Sequence, residues 1–338
     1  MQKFIVNRRC EQRDDQEMNL NKVKWLSLHS FQLRALIVSF IAASLFSHSK
    51  AQQVFRWAKS ERDPHPCLYL TPKDVAQAKR SRTDLAHLAA MKQFNLDNLI
   101  LAALLTDNEI AQKVVAERAK TALNSFHDAL DLTFKQNKGP HVYSRQFGEA
   151  VGLADAALAS PLLSAQDRTS ILEKIAKISY RINRSDYWSF DPWRVSYNPN
   201  MWTSAVAYRL AFAALIPSHP KAKEWFDRAL AEHKKQIDLW IDPHGGHAEA
   251  PHYAIVSFNQ WLGSFVIAKN AGAPSDGHLY DLQMKRGALF LANISTPRDA
   301  KAKNYRRLPT IGHTYANERT NTFGLMAYIW RTKDPKFA

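Results

Sequence analysis

From Thr71 to the end of the chain, apolar residues recur at intervals of three and four almost without a break, while alternating Val/Ile runs are scarce. Such a pattern offers little from which to build a sheet, so the fold class is all-α. The spacing predicts helices at roughly 72–81, 84–105, 109–133, 143–160, 165–183, 200–216, 221–240, 252–271, 278–294 and 318–331. The first begins at Thr71-Pro72-Lys73-Asp74, a start resembling a capping box with proline at the first helical position.

The connections fall into two kinds. Plain turns near Thr106-Asp107-Asn108, Ser160-Pro161, Pro217 to Pro220 and Ala271 to Gly277 alternate with elaborate ones at 134–142, 184–199, 241–251 and 295–317. The elaborate ones are rich in His, Arg, Lys, Tyr and Trp. In consecutive antiparallel helices every second connection returns to the same end, so these four are expected on one face. Function concentrates on such loops. A helix over 200–216 climbs about 25 Å and one over 221–240 returns about 30 Å, which brings Asn200 and Tyr253 to the same end. Repeated hairpins of this length curve into a superhelix or close into an α/α toroid with a groove at its mouth; the toroid is favoured.

The first fifty residues read differently. Ala35 to Phe46 is a twelve-residue apolar run, short for a membrane span. Lys22, Lys24 and Arg34 precede it and Ser49-Lys50-Ala51 follows, the layout of a secretory signal peptide cut after Ala51, with Met18 a candidate start. A membrane anchor and a core helix are the alternatives. The expected organisation is a signal peptide over 1–51 and one helical domain over 52–338, periplasmic or secreted, with no stable membrane insertion once the signal is removed. Residues 1–51 hold eight of the 46 basic and four of the 31 acidic residues, so the remainder keeps 38 against 27. For an exported protein this excess points to acidic polysaccharide or envelope components rather than nucleic acid. Cys10 leaves with the signal and Cys67 stays alone, which excludes an intrachain disulfide. Stability must then come from core burial, for which about 287 residues are ample.

Asp242 to Tyr253 reads Asp-Pro-His-Gly-Gly-His-Ala-Glu-Ala-Pro-His-Tyr, which gathers His244, His247, Glu249, His252 and Tyr253 between two helical stretches. Gly245-Gly246 permits close backbone approach, and Pro243 and Pro251 fence the loop. The preceding elaborate loop and the helix start after it supply Trp188, Trp193, Arg194, Tyr197, Asn200 and Trp202; the following loop supplies Arg298, Lys301, Lys303, Arg306, Arg307 and His313. Aromatic rings offer flat faces to pyranose C–H groups, and guanidinium or ammonium groups pair with uronate carboxylates. A packed aromatic lid explains the rings equally well, and a solvated basic loop is the bland account of 298–307. The spacing His244-x-x-His247-x-Glu249-x-x-His252 would suit a metal, but no HExxH and no cysteine pair supports one.

Four segments together resemble the heparinase II/III-like polysaccharide lyases: His65-Pro66-Cys67-Leu68 through Asp74, Gly245-Gly246-His247-Ala248-Glu249 through Tyr253, Asn200 ahead of a helix, and Pro309-Thr310-Ile311-Gly312-His313. The resemblance spans nearly all of residues 52–338. It implies an incomplete α/α toroid, normally followed by a large antiparallel β domain, that cleaves uronate-containing polysaccharides by β-elimination without a cofactor. With the chain ending at Ala338, that β domain is expected to be missing and activity curtailed.

The C5 proton of a uronate is poorly acidic while the adjacent carboxylate is charged, so that carboxylate must be neutralised and the enolate-like intermediate stabilised. A base then takes the C5 proton and an acid protonates O4. By resemblance Asn200 neutralises, and Tyr253 is the acid and a candidate base. A tyrosine titrates near 10, so a base role needs positive charge nearby, from Arg194 or the histidines. Members of the family often carry His directly after the Asn. Here Met201 stands there, and His244, His247 or His252 would take its place. The expected catalytic set is Asn200, Tyr253, His252 and His247. The substrate-binding set is Trp188, Trp193, Arg194, Tyr197, Trp202, His244, Glu249 and His313, with Glu249 orienting a neighbour or holding a sugar hydroxyl. Plainer uses exist: Asn200 as a helix N-cap and Tyr253 as a buried phenol. Two rival functions are an inverting glycoside hydrolase, needing carboxylates about 6.5–9.5 Å apart from among Glu249, Glu149 and Asp191, and a non-catalytic acidic-glycan-binding remnant.

Overall fold

Among the described residues, every regular element is a helix. A computed structural model describes residues 63–81, 95–135, 144–184, 199–298, 300, 306–312, 314–315 and 322–338, all within the unit Trp57–Ala338. Among them the α-helices are α1 (Pro72–Ser81), α2 (Leu96–Leu105), α3 (Glu109–Lys135), α4 (Ser144–Ala159), α5 (Ala165–Ile182), α6 (Pro199–Ala214), α7 (Ala222–Trp240), α8 (Pro251–Asn270), α9 (Leu282–Ile294) and α10 (Thr322–Trp330), with a 3-10 turn at Pro274–His278. No helix among the described residues is long and apolar enough to cross a membrane. The expected signal segment, residues 1–51, lies outside the described residues.

The helix ends follow local chemistry. Thr71 and Asp74 cap α1 reciprocally, the Thr71 N–H donating to Asp74 Oδ2 at 2.8 Å and the Asp74 N–H to Thr71 Oγ1 at 3.2 Å. Two predicted helices are shorter than their periodicity suggests. Asn95 is extended and accepts the Asn98 N–H at 2.8 Å, so α2 starts at Leu96 and a single helix over 84–105 is interrupted there. Positive φ at Asp276, Gly277 and His278 turns the chain before α9, which starts only after Asp281 accepts from Gln283 and Met284. In both cases an Asn or Asp side chain satisfies the orphan donors of a new helix better than continuation would.

Neighbouring helices pack in sequence, α3 on α4, α5 on α6 and α6 on α7, and helices two apart also touch, α3 with α5, α6 with α8 and α7 with α9. The centre is α6. Its sequence is apolar or small on all sides, the signature of a helix surrounded by others, and 15 of its 16 residues are buried, all but Met201. The one full charge on α6, Arg209, is 1% exposed and is held by Glu232 of α7 at 3.0 Å and by the Ile182 carbonyl at 3.3 Å.

The His65-Pro66-Cys67-Leu68 segment works as a lock. Asp155 of α4 accepts the Cys67 N–H at 2.9 Å, the Leu68 N–H at 3.0 Å and His65 Nδ1–H at 2.9 Å. The Leu68 carbonyl takes Asn270 Nδ2 at 2.7 Å and the Cys67 thiol leans on the Ala214 carbonyl at 3.4 Å. These contacts lie at the C-terminal ends of α6 and α8, whereas Asn200 and Pro251 mark their N-terminal ends. The lock is therefore about 20 Å from Asn200 along α6. Replacing Asp155 by alanine strands three buried donors, and we expect a loss of about 2–3 kcal/mol; a Tm within a degree of the parent would refute that role.

Three histidines are held neutral by burial. His233 lies between Gln236 Oε1 at 3.0 Å and Ser264 Oγ at 2.9 Å, His219 stacks on Trp225, and His247 packs against Trp261; burial pulls each down to about 4. Depressed histidines bind protons first in the unfolded chain, so their contribution is complete above about pH 6.5 and is lost as pH falls toward about 4. Stability should decline over that window by up to about 1.4 kcal/mol per pH unit for each histidine. Urea titrations across this range check it, and His233→Asn should flatten the profile.

Candidate functional site

The loop after α7 is set by its own residues. Ile241 and His247 form an isolated antiparallel bridge, the Asp242 N–H donating to the Gly246 carbonyl at 2.8 Å and the Ala248 N–H to the Trp240 carbonyl at 2.9 Å. Asp242 Oδ1 accepts the N–H groups of His244 at 2.7 Å and Gly246 at 3.0 Å, and these bonds hold its carboxyl below the usual range. Gly245 has φ of 95°, and a Cβ there would collide with the Arg286 carbonyl. The first glycine of the pair is thus dictated by backbone conformation and by the close approach of α9. Gln283 of α9 donates to the carbonyls of Ile241 and Asp242.

Beyond this turn the chain delivers Glu249 to the start of α6. Its Oε1 accepts Asn200 Nδ2 at 2.7 Å and its Oε2 accepts the Asn200 N–H at 2.9 Å. Asn200 is the second residue of α6 rather than its cap, and Glu249 supplies the capping oxygen from another loop. The amide is 8% exposed. Burial raises the Glu249 carboxyl, with the two Asn200 bonds opposing the rise. The Glu249 N–H donates to His247 Nδ1 at 3.0 Å, which leaves the His247 proton on Nε2. That nitrogen is buried without a partner among the described residues.

Tyr253 and His252 open α8. Their rings meet edge to face at 4.9 Å, and His252 meets Tyr315 the same way at 5.3 Å. The His252 N–H donates to Thr314 Oγ1 at 3.2 Å, so the loop before α10 reaches the same place. Among the described residues, two of the elaborate connections, 241–251 and 295–317, thus supply residues to one end of the α6–α8 pair. Asn200, Glu249, His252 and Tyr253 are brought together there. Two expected residues take other positions. Trp202 is 7% exposed, so it presents no open face to a sugar. His247 faces inward against Phe258 and Trp261, where it supports Glu249. His244 is exposed at the tip of the turn. Trp188, Trp193, Arg194, Tyr197 and His313 lie outside the described residues, as does Asp191.

Among the described residues, the side chains that cluster with metal-ligand spacing are His65, Cys67 and Asp155, whose ligand atoms lie within 4.8 Å of one another. They already bond to each other in the lock, and burial together with the Asp155 charge pushes the Cys67 thiol well up. Sequence reasoning overlooked Asp242, Gln283, Thr314 and Tyr315. Of these, Asp242 was readable in principle, because Asp before Pro-x-Gly-Gly is a turn-organising position. No family model, no curated protein and no solved structure matches the chain.

Proposed function

We propose that the helical unit is an incomplete α/α toroid and that the protein is a polysaccharide lyase, acting outside the cytoplasm on a uronate-containing acidic polysaccharide by β-elimination. The observation that carries the proposal is the grip of Glu249 on Asn200. It holds an amide at the start of α6, beside the start of α8 that bears Tyr253. Two helix N-termini lie at this end, and their dipoles favour an anionic group.

In this mechanism the uronate carboxylate docks at the first turns of α6 and α8. Asn200 hydrogen-bonds it and draws charge off C5, and Glu249 fixes the amide's orientation. A base removes the C5 proton, electrons move to form the C4–C5 double bond, and the C4–O4 bond breaks. Tyr253 protonates the departing O4, with His252 against its ring as the neighbouring proton-transfer group. The rival hydrolase needs a carboxylate free to act on the glycosidic oxygen, and both Glu249 oxygens are engaged by Asn200. Incubation with acidic polysaccharides separates the cases. A lyase generates the ultraviolet absorbance of an unsaturated uronate, a hydrolase generates reducing ends alone, and a glycan-binding protein generates neither. Reducing ends without absorbance would overturn the proposal.

A further inference from the structure

Tyr315 has no part in the mechanism above, yet it is 63% exposed with its ring against His252. The stretch leading to it is anchored at two points. At its base the Thr296 N–H donates to the Arg307 carbonyl at 2.8 Å and the Arg307 N–H to Thr296 Oγ1 at 3.0 Å. Near its tip Thr314 Oγ1 accepts from the His252 N–H at 3.2 Å and donates to the Ile311 carbonyl at 2.8 Å. Gly312, with φ of 60°, packs so closely on Ala250 that a Cβ would lie 2.8 Å from the alanine methyl. A second large apolar side chain, Ile311, is 61% exposed on the same stretch.

Apolar side chains scattered singly on a surface need no explanation, but Ile311 and Tyr315 stand together on one held stretch that reaches the start of α8. Other exposed tyrosines have local uses: Tyr328 lies under the Arg331 guanidinium at 3.7 Å, and Tyr69 covers Gly263 at 3.5 Å. Tyr315 continues a run of three edge-to-face rings that begins at Tyr253. We infer that Tyr315 is a sugar-binding residue, whose ring stacks on a pyranose beside the one that is cleaved and so gives the site its requirement for an oligosaccharide rather than a single uronate. Its position is fixed in advance by Thr314 and Gly312, so little ordering is needed on binding. This inference rests on the proposed carbohydrate function.

The test uses the full chain and a size series of uronate oligosaccharides, with binding followed by calorimetry and cleavage by absorbance. Tyr315→Ala should weaken binding of the longer oligosaccharides roughly three- to tenfold, the scale of one aromatic contact. It should raise KM with kcat retained, as expected when binding is lost equally from ground and transition states. Tyr315→Phe should behave as the parent, because the ring rather than the hydroxyl does the stacking, and the Tm of both variants should be unchanged. If the parent binds and cleaves the series while Tyr315→Ala does so equally well, the inference fails and the lyase proposal stands. If the parent binds no uronate oligosaccharide, the lyase proposal fails and takes the inference with it.

Discussion

Tyr253→Phe should lower the elimination rate by roughly two to four orders of magnitude, the usual worth of a positioned proton-transfer group. Binding of the polysaccharide should survive. The substitution removes one hydroxyl and keeps the ring that meets His252 at 4.9 Å, so α8 keeps its start and the fold its Tm. In the proposed mechanism the phenol acts as the C4–O4 bond breaks, so the effect belongs in kcat. Retention of full activity would show that another group protonates O4 and would remove Tyr253 from the mechanism. A large loss accompanied by a lowered Tm would instead identify a packing phenol, which is why calorimetry on the variant must accompany the kinetics.

Asn200→Ala should cost roughly two to three orders of magnitude in kcat, the range seen when one donor to a developing negative charge is deleted. The backbone N–H of residue 200 stays on Glu249, so the start of α6 remains capped. What changes is the carboxylate opposite: it loses its 2.7 Å amide partner while staying half-buried, and its proton affinity rises further. Glu249→Gln tests the same contact from the other side. A glutamine can accept with one end only, so one of the two Asn200 donors is left facing an NH2 group and the amide loses its fixed direction. Its kcat should fall less than that of Asn200→Ala, with Tm lowered by a few degrees for the stranded donor. If Glu249→Gln proves fully active, the orientation of Asn200 is not what the carboxylate supplies.

Much of the scaffold could be read from residue order, because helices announce themselves by repeats that need only local information. The Thr71–Asp74 cap is a clear instance, since both partners sit three residues apart. Where a long-range choice decided the outcome, periodicity misled. Asn95 interrupts a stretch with continuous helical spacing, and nothing local says that its side chain will cap rather than point to solvent. The site divides the same way. That Asn200 and Tyr253 share one end was readable from helix lengths, but that the Glu249 carboxylate grips both the Asn200 amide and its backbone is seen only in the structure. Trp202 shows the opposite failure: beside a functional loop it reads as a sugar platform, while helical phase turns it inward. Tyr315 went unnoticed because it belongs to no pattern, and only its neighbours give it meaning.

The lock at His65–Leu68 has a consequence for how the chain matures. Its partners Asp155, Ala214 and Asn270 come 88, 147 and 202 positions later in the chain. Contacts this distant close late, since the loss of loop freedom must be met before they give anything back. The earliest described segment is therefore among the last to settle, and it cannot do so until α8 has been synthesised. A clasp of this kind leaves the leading residues of the unit pliable until Asn270 is available, so a fault anywhere between α4 and α8 would show as a loose leading end.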